Sequence, residues 1–248
     1  MKPNCLFIAI GALVVLVSPV CAHTTTAGTG PTERRIADVI DIAPWGRLGD
    51  DGQPAGVYVN IFKRLSERSG CVLEPRLTPI PRAVMEVSRG VASATIMLDR
   101  ADLNKNAVEL GEVTALRIEV WLPAGSRLAS VEDLAGKTVG VLRGPSYHEG
   151  FDKDTRIRKQ SITNPRQQLE MLLKGRLDAV VGVRENFLVA AEQMRVSPNT
   201  FAAPIDLGTR AVKLWVAPTM RDSPCANQLA QSLKDMRRAG EIDRFFAR

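Results

Sequence analysis

The sequence predicts an α/β fold in which mixed or parallel sheets carry helices on both faces. Short apolar runs of strand length alternate with amphipathic stretches of helical spacing along most of the 248 residues. This alternation is typical of sheets covered by helices. Two helix–glycine–strand units, which begin at Pro81 and Pro165, are alike in outline and indicate two comparable halves. With 45% hydrophobic residues, the chain can bury a substantial core.

The N-terminal segment is typical of an export signal rather than of a folded element. Lys2 is followed by an apolar run over residues 6–17, and Ala22 ends a stretch of small residues before His23. The run is shorter than the roughly 20 residues that a membrane span needs. We therefore predict a cleaved signal peptide at 1–22, a flexible leader at 23–33 and a periplasmic protein.

The first half begins with a predicted strand at 36–42 and a helix at 57–68 that Gly70 ends. A second strand is expected at 71–77. The spacing then predicts a helix over 81–89, and an apolar segment follows it.

The second half repeats this alternation. Ser130 is expected to cap one helical turn before a strand at 139–142, and residues 143–146 form a loop. Asn164 is expected to cap a helix whose buried face is formed by leucines, and a strand at 177–183 follows. The chain is expected to close with a strand at 212–217 and a helix at 227–238. The buried leucines of the Asn164 helix are Leu169, Leu172 and Leu173.

Charge and cysteine content restrict the partners. The formal charge of +6 is spread along the chain, and removal of residues 1–22 deletes only Lys2, which leaves 6 − 1 = +5. We expect no nucleic-acid partner, because such proteins concentrate basic residues on one face. Cys71 and Cys225 remain after cleavage. In an oxidising compartment they are either a disulfide or two separate buried thiols, and their spacing leaves both possibilities open.

Three segments in order, at 130–144, 175–181 and 229–246, resemble the family 3 extracellular solute-binding proteins of bacterial ABC-type uptake systems. The resemblance implies a type II two-lobed fold with two hinge crossovers. It implies that Cys71 and Cys225 lie in the same lobe, which favours a disulfide, and that the protein is a monomer without a cofactor. The implied lobes are 34–118 with a return at 212–248, and 119–211.

The resemblance also implies where ligand contacts lie. Pro44-Trp45 matches the family's proline–aromatic pair, whose ring packs on the ligand; the alternative is an aromatic core residue. The arginine that grips an α-carboxylate aligns with Asn104, and the aspartate that meets an α-ammonium aligns with Val183. A buried charge without a partner costs several kcal/mol. We therefore expect that free amino acids do not bind in the usual pose.

Other side chains are candidates for an anionic or polar ligand. Arg82 and Arg100 offer guanidinium groups, and Arg184 lies beside the substituted aspartate position. Surface charges or salt bridges are their alternatives. Ser146 and Tyr147 are expected to donate hydrogen bonds from a helix start, with simple capping as the alternative. The expected ligand residues are Trp45, Arg82, Asp99, Arg100, Ser146, Tyr147 and Arg184.

The sequence contains few patterns that are typical of catalytic or metal-binding sites. The chain has no HExxH, CxxC or GxSxG pattern, and its two histidines, His23 and His148, make a zinc site improbable. We expect a binding protein that captures a small polar or anionic molecule and delivers it to a membrane permease or a sensor protein. One alternative is a dehydratase-like enzyme that uses Glu149, Asp99 or Glu185 as its acid or base. A second alternative is a protein that binds a partner without any ligand.

Overall fold

A computed structural model describes residues 34–247 of the chain. The predicted signal peptide and leader lie outside the described residues. The described strands are β1 (Arg35–Ile40), β2 (Arg47–Leu48), β3 (Pro54–Ala55), β4 (Leu73–Thr78), β5 (Ala94–Leu98), β6 (Val108–Trp121), β7 (Thr138–Leu142), β8 (Arg158–Ile162), β9 (Ala179–Val183) and β10 (Ile205–Val216). The helices are α1 (Val57–Ser69), α2 (Ile80–Ser88), α3 (Ala101–Asn106), α4 (Glu149–Lys153), α5 (Pro165–Leu173), α6 (Arg184–Gln193), α7 (Pro224–Arg238) and α8 (Glu241–Phe246).

Eight strands form one mixed sheet in the order β4-β1-β5-β10-β6-β9-β7-β8, and β2 pairs with β3 separately. In the first half β1 pairs in parallel with β4 and β5, and β5 pairs antiparallel with residues 212–216 of β10. In the second half β7 pairs in parallel with β8 and β9, and β9 pairs antiparallel with residues 118–121 of β6. The two halves therefore have the same strand arrangement, and the long strands β6 and β10 run through both. The lobe boundaries expected after residues 118 and 211 stay predictions.

The two repeated units occupy equivalent places. Helix α2 precedes β5 and helix α5 precedes β9. Each of these two strands is the third from its edge of the large sheet. Asn164 caps α5 as expected, because its Oδ1 accepts a hydrogen bond from the Gln167 amide at 2.8 Å. Gly70 ends α1 with φ 72°, a left-handed conformation that glycine adopts without a Cβ clash.

Three details of the predicted elements are wrong. Ser130 does not cap the turn at Glu132–Leu134; instead Asp133 Oδ2 accepts hydrogen bonds from the amides of Ala129 and Ser130. Leu173 is 42% exposed, because it is the last residue of α5 and points away from the buried face. Strand β10 begins at Ile205, seven residues before the predicted start. The prediction included only the continuous apolar part of the strand and missed the first part, which contains polar and exposed residues.

The core follows the sheet. Its larger buried cluster extends from the first half through β6 and β10, and a smaller one around Trp121 and Phe187 lies under α5 and α6. Cys71 and Cys225 form a disulfide with a Cα–Cα distance of 5.7 Å, which joins the segment between α1 and β4 to helix α7. The expected pairing is confirmed.

Within residues 34–247, no helix combines the length and apolar character needed to cross a bilayer.

Candidate functional site

The carboxyl ends of two pairs of parallel strands, which run in opposite directions, meet at one cavity. The ends of β1 and β5, Ile40 and Leu98, come from the first half, and the ends of β7 and β9, Leu142 and Val183, come from the second. In open α/β sheets, ligands bind at the carboxyl ends of strands. The cavity encloses about 40 Å³. One water needs roughly 10–15 Å³ on this measure, so the enclosed space holds only a few atoms.

Aromatic rings form one wall of this central cavity. Trp45 is 2% exposed and stacks on Tyr58 with ring centroids 5.2 Å apart and planes 17° apart. Phe246 contacts the same indole at 5.8 Å. Burial, and secondarily the nearby charge of Glu185, raises the pKa of the Tyr58 hydroxyl far above its ordinary value. Trp45 is thus both a cavity-lining ring and part of the aromatic core.

Arg100 is the cation in the lining of the central cavity. It lies just after β5, and its side chain is 11% exposed. Its Nε and Nη2 donate to Asp102 Oδ1 and Oδ2 at 2.5 and 2.7 Å. Burial alone would raise the pKa of Asp102, but the hydrogen bond and charge of Arg100 lower it overall. The edge of the guanidinium that includes Nη1 donates to no described residue and lies near Gly144 of the second half.

Asn186 is a cavity residue that the sequence analysis missed. It lies in the first turn of α6, directly after β9, and is 5% exposed. Its Oδ1 has no hydrogen-bond partner among the described residues. No side chain caps the start of α6. Buried amides are normally hydrogen-bonded, so this unpaired group in the cavity lining is a candidate for ligand contact. Its place just beyond the end of a parallel strand was a usable signal.

Ser146 and Tyr147 also line the cavity, but their polar groups are already engaged. Asp152 Oδ2 accepts hydrogen bonds from Ser146 Oγ at 2.7 Å and from the amides of Tyr147 and His148 at 2.9 and 3.1 Å. The Tyr147 hydroxyl accepts a hydrogen bond from the Leu142 amide at 3.2 Å, and burial raises the pKa of that hydroxyl. Neither side chain caps α4, whose N-cap residue is His148, and as ligand residues Ser146 and Tyr147 stay predictions.

Three expected ligand residues lie outside the lining of the central cavity. Arg82 has a side chain that is 62% exposed, and its Nε donates to Glu86 Oε1 at 2.6 Å. Asp99 forms an ion pair with Lys213 at 3.2 Å. Arg184 is exposed, with its Nε 3.6 Å from an oxygen of Glu119. As ligand residues, these three stay predictions.

Carboxylates are missing from the lining of the central cavity as the structure describes it. Glu149, one of the expected cleft acids, is exposed and forms an ion pair with Lys153 at 2.5 Å. The pKa of Glu149 lies below its ordinary value because of that hydrogen bond. Val183, at the position of the family's aspartate, lines the cavity as an apolar residue. Asn104 is exposed on α3.

Metal binding has no support in the described part of the chain, which contains no cluster of three or more histidine, cysteine, aspartate or glutamate residues placed to hold an ion.

Comparisons with known proteins show the fold. No protein-family model and no curated protein matches the chain. Among solved structures, an ancestral arginine-binding protein bound to arginine is 20% identical with a TM-score of 0.71, over 86% of this chain and 95% of that one. A histidine kinase sensor domain with similarity to periplasmic binding proteins is 18% identical with a TM-score of 0.73, over 87% and 94%. An ancestral amino-acid-binding protein, a precursor of cyclohexadienyl dehydratase, is 17% identical with a TM-score of 0.70, over 86% and 92%. The chain therefore has the two-lobed α/β fold of periplasmic binding proteins, as expected.

Proposed function

We propose that the protein is an exported solute-binding protein whose two lobes close on a small organic anion. The observation that supports this proposal is the position of Arg100 in the wall of a cavity where four strand ends meet. The delivery of the ligand to a membrane permease of an ABC-type system, or to a sensor protein, is part of the proposal. The fold and the predicted signal peptide favour the periplasm as its location.

The charge of the cavity supports an anion over a zwitterion. Arg100 is matched by no carboxylate among the lining residues, and its pair with Asp102 leaves the second guanidinium edge available. That edge can hold a carboxylate in bidentate geometry. An α-ammonium group would find Val183 instead of an acidic partner, which is costly in a buried site.

The remaining lining supports a ligand with an apolar body and one further polar atom. Trp45, Ile80 and Met97 are among the apolar lining residues, and Asn186 offers an amide that lacks a partner. The space of about 40 Å³ is too small for such a molecule unless the lobes separate. Hinge opening and closure around β6 and β10 would admit the ligand, and closure would be the event that a partner protein reads.

A second candidate function is partner contact without a ligand. It is favoured by the engagement of Ser146 and Tyr147 with Asp152, which leaves those donors occupied. One solved neighbour is a sensor domain of a histidine kinase. The dehydratase-like alternative is less supported, because an enzyme of that kind needs an acid or base at the substrate and the lining of the central cavity has no carboxylate.

Thermal unfolding of the mature protein with matched small molecules tests the proposal. The panel contains aromatic and aliphatic carboxylates, the corresponding amides, and free amino acids. A ligand at about 100 times its Kd adds about 2.7 kcal/mol of stability, or about 5 to 11 °C at this size. We expect carboxylates to shift the midpoint and amides and amino acids not to do so. A shift by amino acids alone would overturn the anion proposal, and a flat panel would favour partner contact.

A further inference from the structure

A second cavity, of about 460 Å³, adjoins the central one at Trp45 and Leu116, which line both. The first half contributes Trp45 and, from the end of α8, Phe245 and Phe246. The second half contributes one face of α6, including Glu185 and Glu192. Its volume is within the range of about 300–1,000 Å³ that is common for small-molecule sites. We call it the α6 cavity.

The carboxylates of the α6 cavity lack partners. Glu185 Oε2 is buried and has no hydrogen-bond partner among the described residues, and neither Glu185 nor Glu192 forms an ion pair there. The two residues are seven positions apart, which places them on one face of the helix about 10 Å apart along its axis. Arg184, the cation of the lining, is directed to Glu119 instead.

The described contacts of Glu185 do not explain why one oxygen of its carboxylate is buried. The position of Glu185 near the start of α6 accounts for a negative charge there, because the helix dipole favours it. The dipole does not account for the buried Oε2, which has no donor among the described residues, since a buried polar atom without a partner is costly. A cationic group in the cavity would supply the donor.

The aromatic wall favours a cation as well. Trp45 is 2% exposed and stacks on Tyr58, so its faces are already covered, whereas Phe245 and Phe246 are half-buried and present ring surface to the cavity. Aromatic faces attract organic cations. Leu188 and Val189 complete an apolar surface between the two glutamates.

We propose that the α6 cavity binds a small organic ammonium ion with an apolar body, in which Glu185 holds the ammonium group and Trp45 and Phe246 contact the body. This site is separate from the anion site at Arg100, and the proposal does not depend on it. The chain as a whole is basic, so the preference would come from the local contacts and not from the overall field.

Calorimetric titration of the mature protein tests this proposal with three probes of similar size. Phenethylammonium carries the charge, 2-phenylethanol is neutral, and phenylacetate reverses the charge. We expect phenethylammonium to bind saturably and 2-phenylethanol to bind at least about tenfold more weakly, because a charged hydrogen bond is lost. Glu185→Gln should weaken phenethylammonium by at least about tenfold and leave 2-phenylethanol unchanged. Glu170→Gln, on α5 outside the cavity, is the matched control and should change neither affinity.

Equal affinity for the ammonium and the alcohol, or full ammonium affinity in Glu185→Gln, would overturn the proposal. So would the absence of saturable ammonium binding by the wild-type protein. Glu192→Gln serves as a second variant, expected to weaken the ammonium less because Glu192 is exposed. Phenylacetate separates the two proposals. Its binding should depend on Arg100 and not on Glu185, so either site can fail while the other stands.

Discussion

Arg100 and Asn186 face the same cavity from different halves of the sheet. Arg100 follows the end of β5 in the first half, and Asn186 lies in the first turn of α6, after the end of β9 in the second half. One contributes a guanidinium edge and the other an unpaired amide. Because each comes from a different half of the sheet, a ligand that contacts both would stabilise the arrangement that brings them together. The predictions below begin with this pair.

Replacement of Arg100 by glutamine should remove the anion site. We expect the affinity for a carboxylate ligand found in the unfolding panel to fall at least about tenfold, since a charge-assisted hydrogen bond is lost. Arg156→Gln is a matched control, because Arg156 forms the same two-point pair with an aspartate two residues away but is exposed outside the cavity. Calorimetry measures both variants. Equal losses in the two would show that the effect is not local to the cavity.

Asn186→Leu should separate stability from binding. The Oδ1 atom accepts no hydrogen bond from the described residues, so removal of the amide should leave the free energy of unfolding unchanged or raise it by up to about 1 kcal/mol. Ligand affinity should fall. The control is Gln168→Leu, because the Gln168 amide is buried and donates to the carbonyls of Gly140 and Val181 at 3.0 and 3.1 Å. That variant should lose about 1–3 kcal/mol. A comparable loss in Asn186→Leu, by urea unfolding, would contradict the ligand role.

The disulfide between Cys71 and Cys225 should contribute strongly to stability. It closes a loop with a sequence separation of 154 residues, and constraint of the unfolded chain by such a bridge is worth about 2–5 kcal/mol. The double variant Cys71→Ala with Cys225→Ala should unfold at correspondingly lower urea. Addition of a reductant should lower the stability of the wild-type protein and leave the variant unchanged. A reductant effect of equal size on both would indicate another cause.

Glu241 should contribute stability that depends on pH. Its carboxylate on α8 contacts Arg64 and lies 2.6 Å from Arg68, both on α1. The hydrogen bond from Arg64 lowers the pKa of Glu241 from its ordinary 4.5. The stabilisation is therefore present above about pH 4.5 and is lost as the pH falls through the lower folded value. Glu241→Gln should be less stable at pH 7 and should show a shallower loss on acidification.

Glu67→Gln is the control for that experiment. Glu67 pairs with Arg64 within α1 and is 63% exposed, and exposed pairs of this kind contribute about 0.3–0.5 kcal/mol. We expect its stability curve against pH to follow that of the wild-type protein. Identical curves for all three proteins would show that the contact between α8 and α1 does not depend on the charge of Glu241.

Much of the fold could be predicted because its elements have strong local signals. The helix at 57–69 has regular apolar spacing and a glycine at its end, and α5 has a capping asparagine followed by proline. Strand β8 has no such signal, because it is an edge strand with a polar and largely exposed sequence. The pairing of Cys71 with Cys225 came from the family resemblance and not from their spacing.

Only part of the candidate site could be predicted from the sequence. Trp45, Arg100, Ser146 and Tyr147 were predicted and line the central cavity. Arg82 and Asp99 are close in sequence to the lining residues Ile80 and Arg100 but do not line the cavity. Arg82 forms an ion pair with Glu86, and Asp99 forms one with Lys213. Asn186 was missed because asparagine as a residue type does not indicate ligand contact; only its place after the end of a strand pointed to the cavity.

The sequence by itself determined the alternation of strands and helices and the likeness of the two halves, and these properties are local, since they follow from residue types and their spacing. The loss of the charged residues that hold an amino acid, at Asn104 and Val183, was implied by the family resemblance and stays a prediction. Only the tertiary structure decided which side chains share a cavity. Arg100 and Asn186 are 86 positions apart in the chain, and their approach depends on sheet order and on the packing of one lobe against the other. Whether a polar group is paired or orphaned is a property of that packing, which residue spacing does not encode.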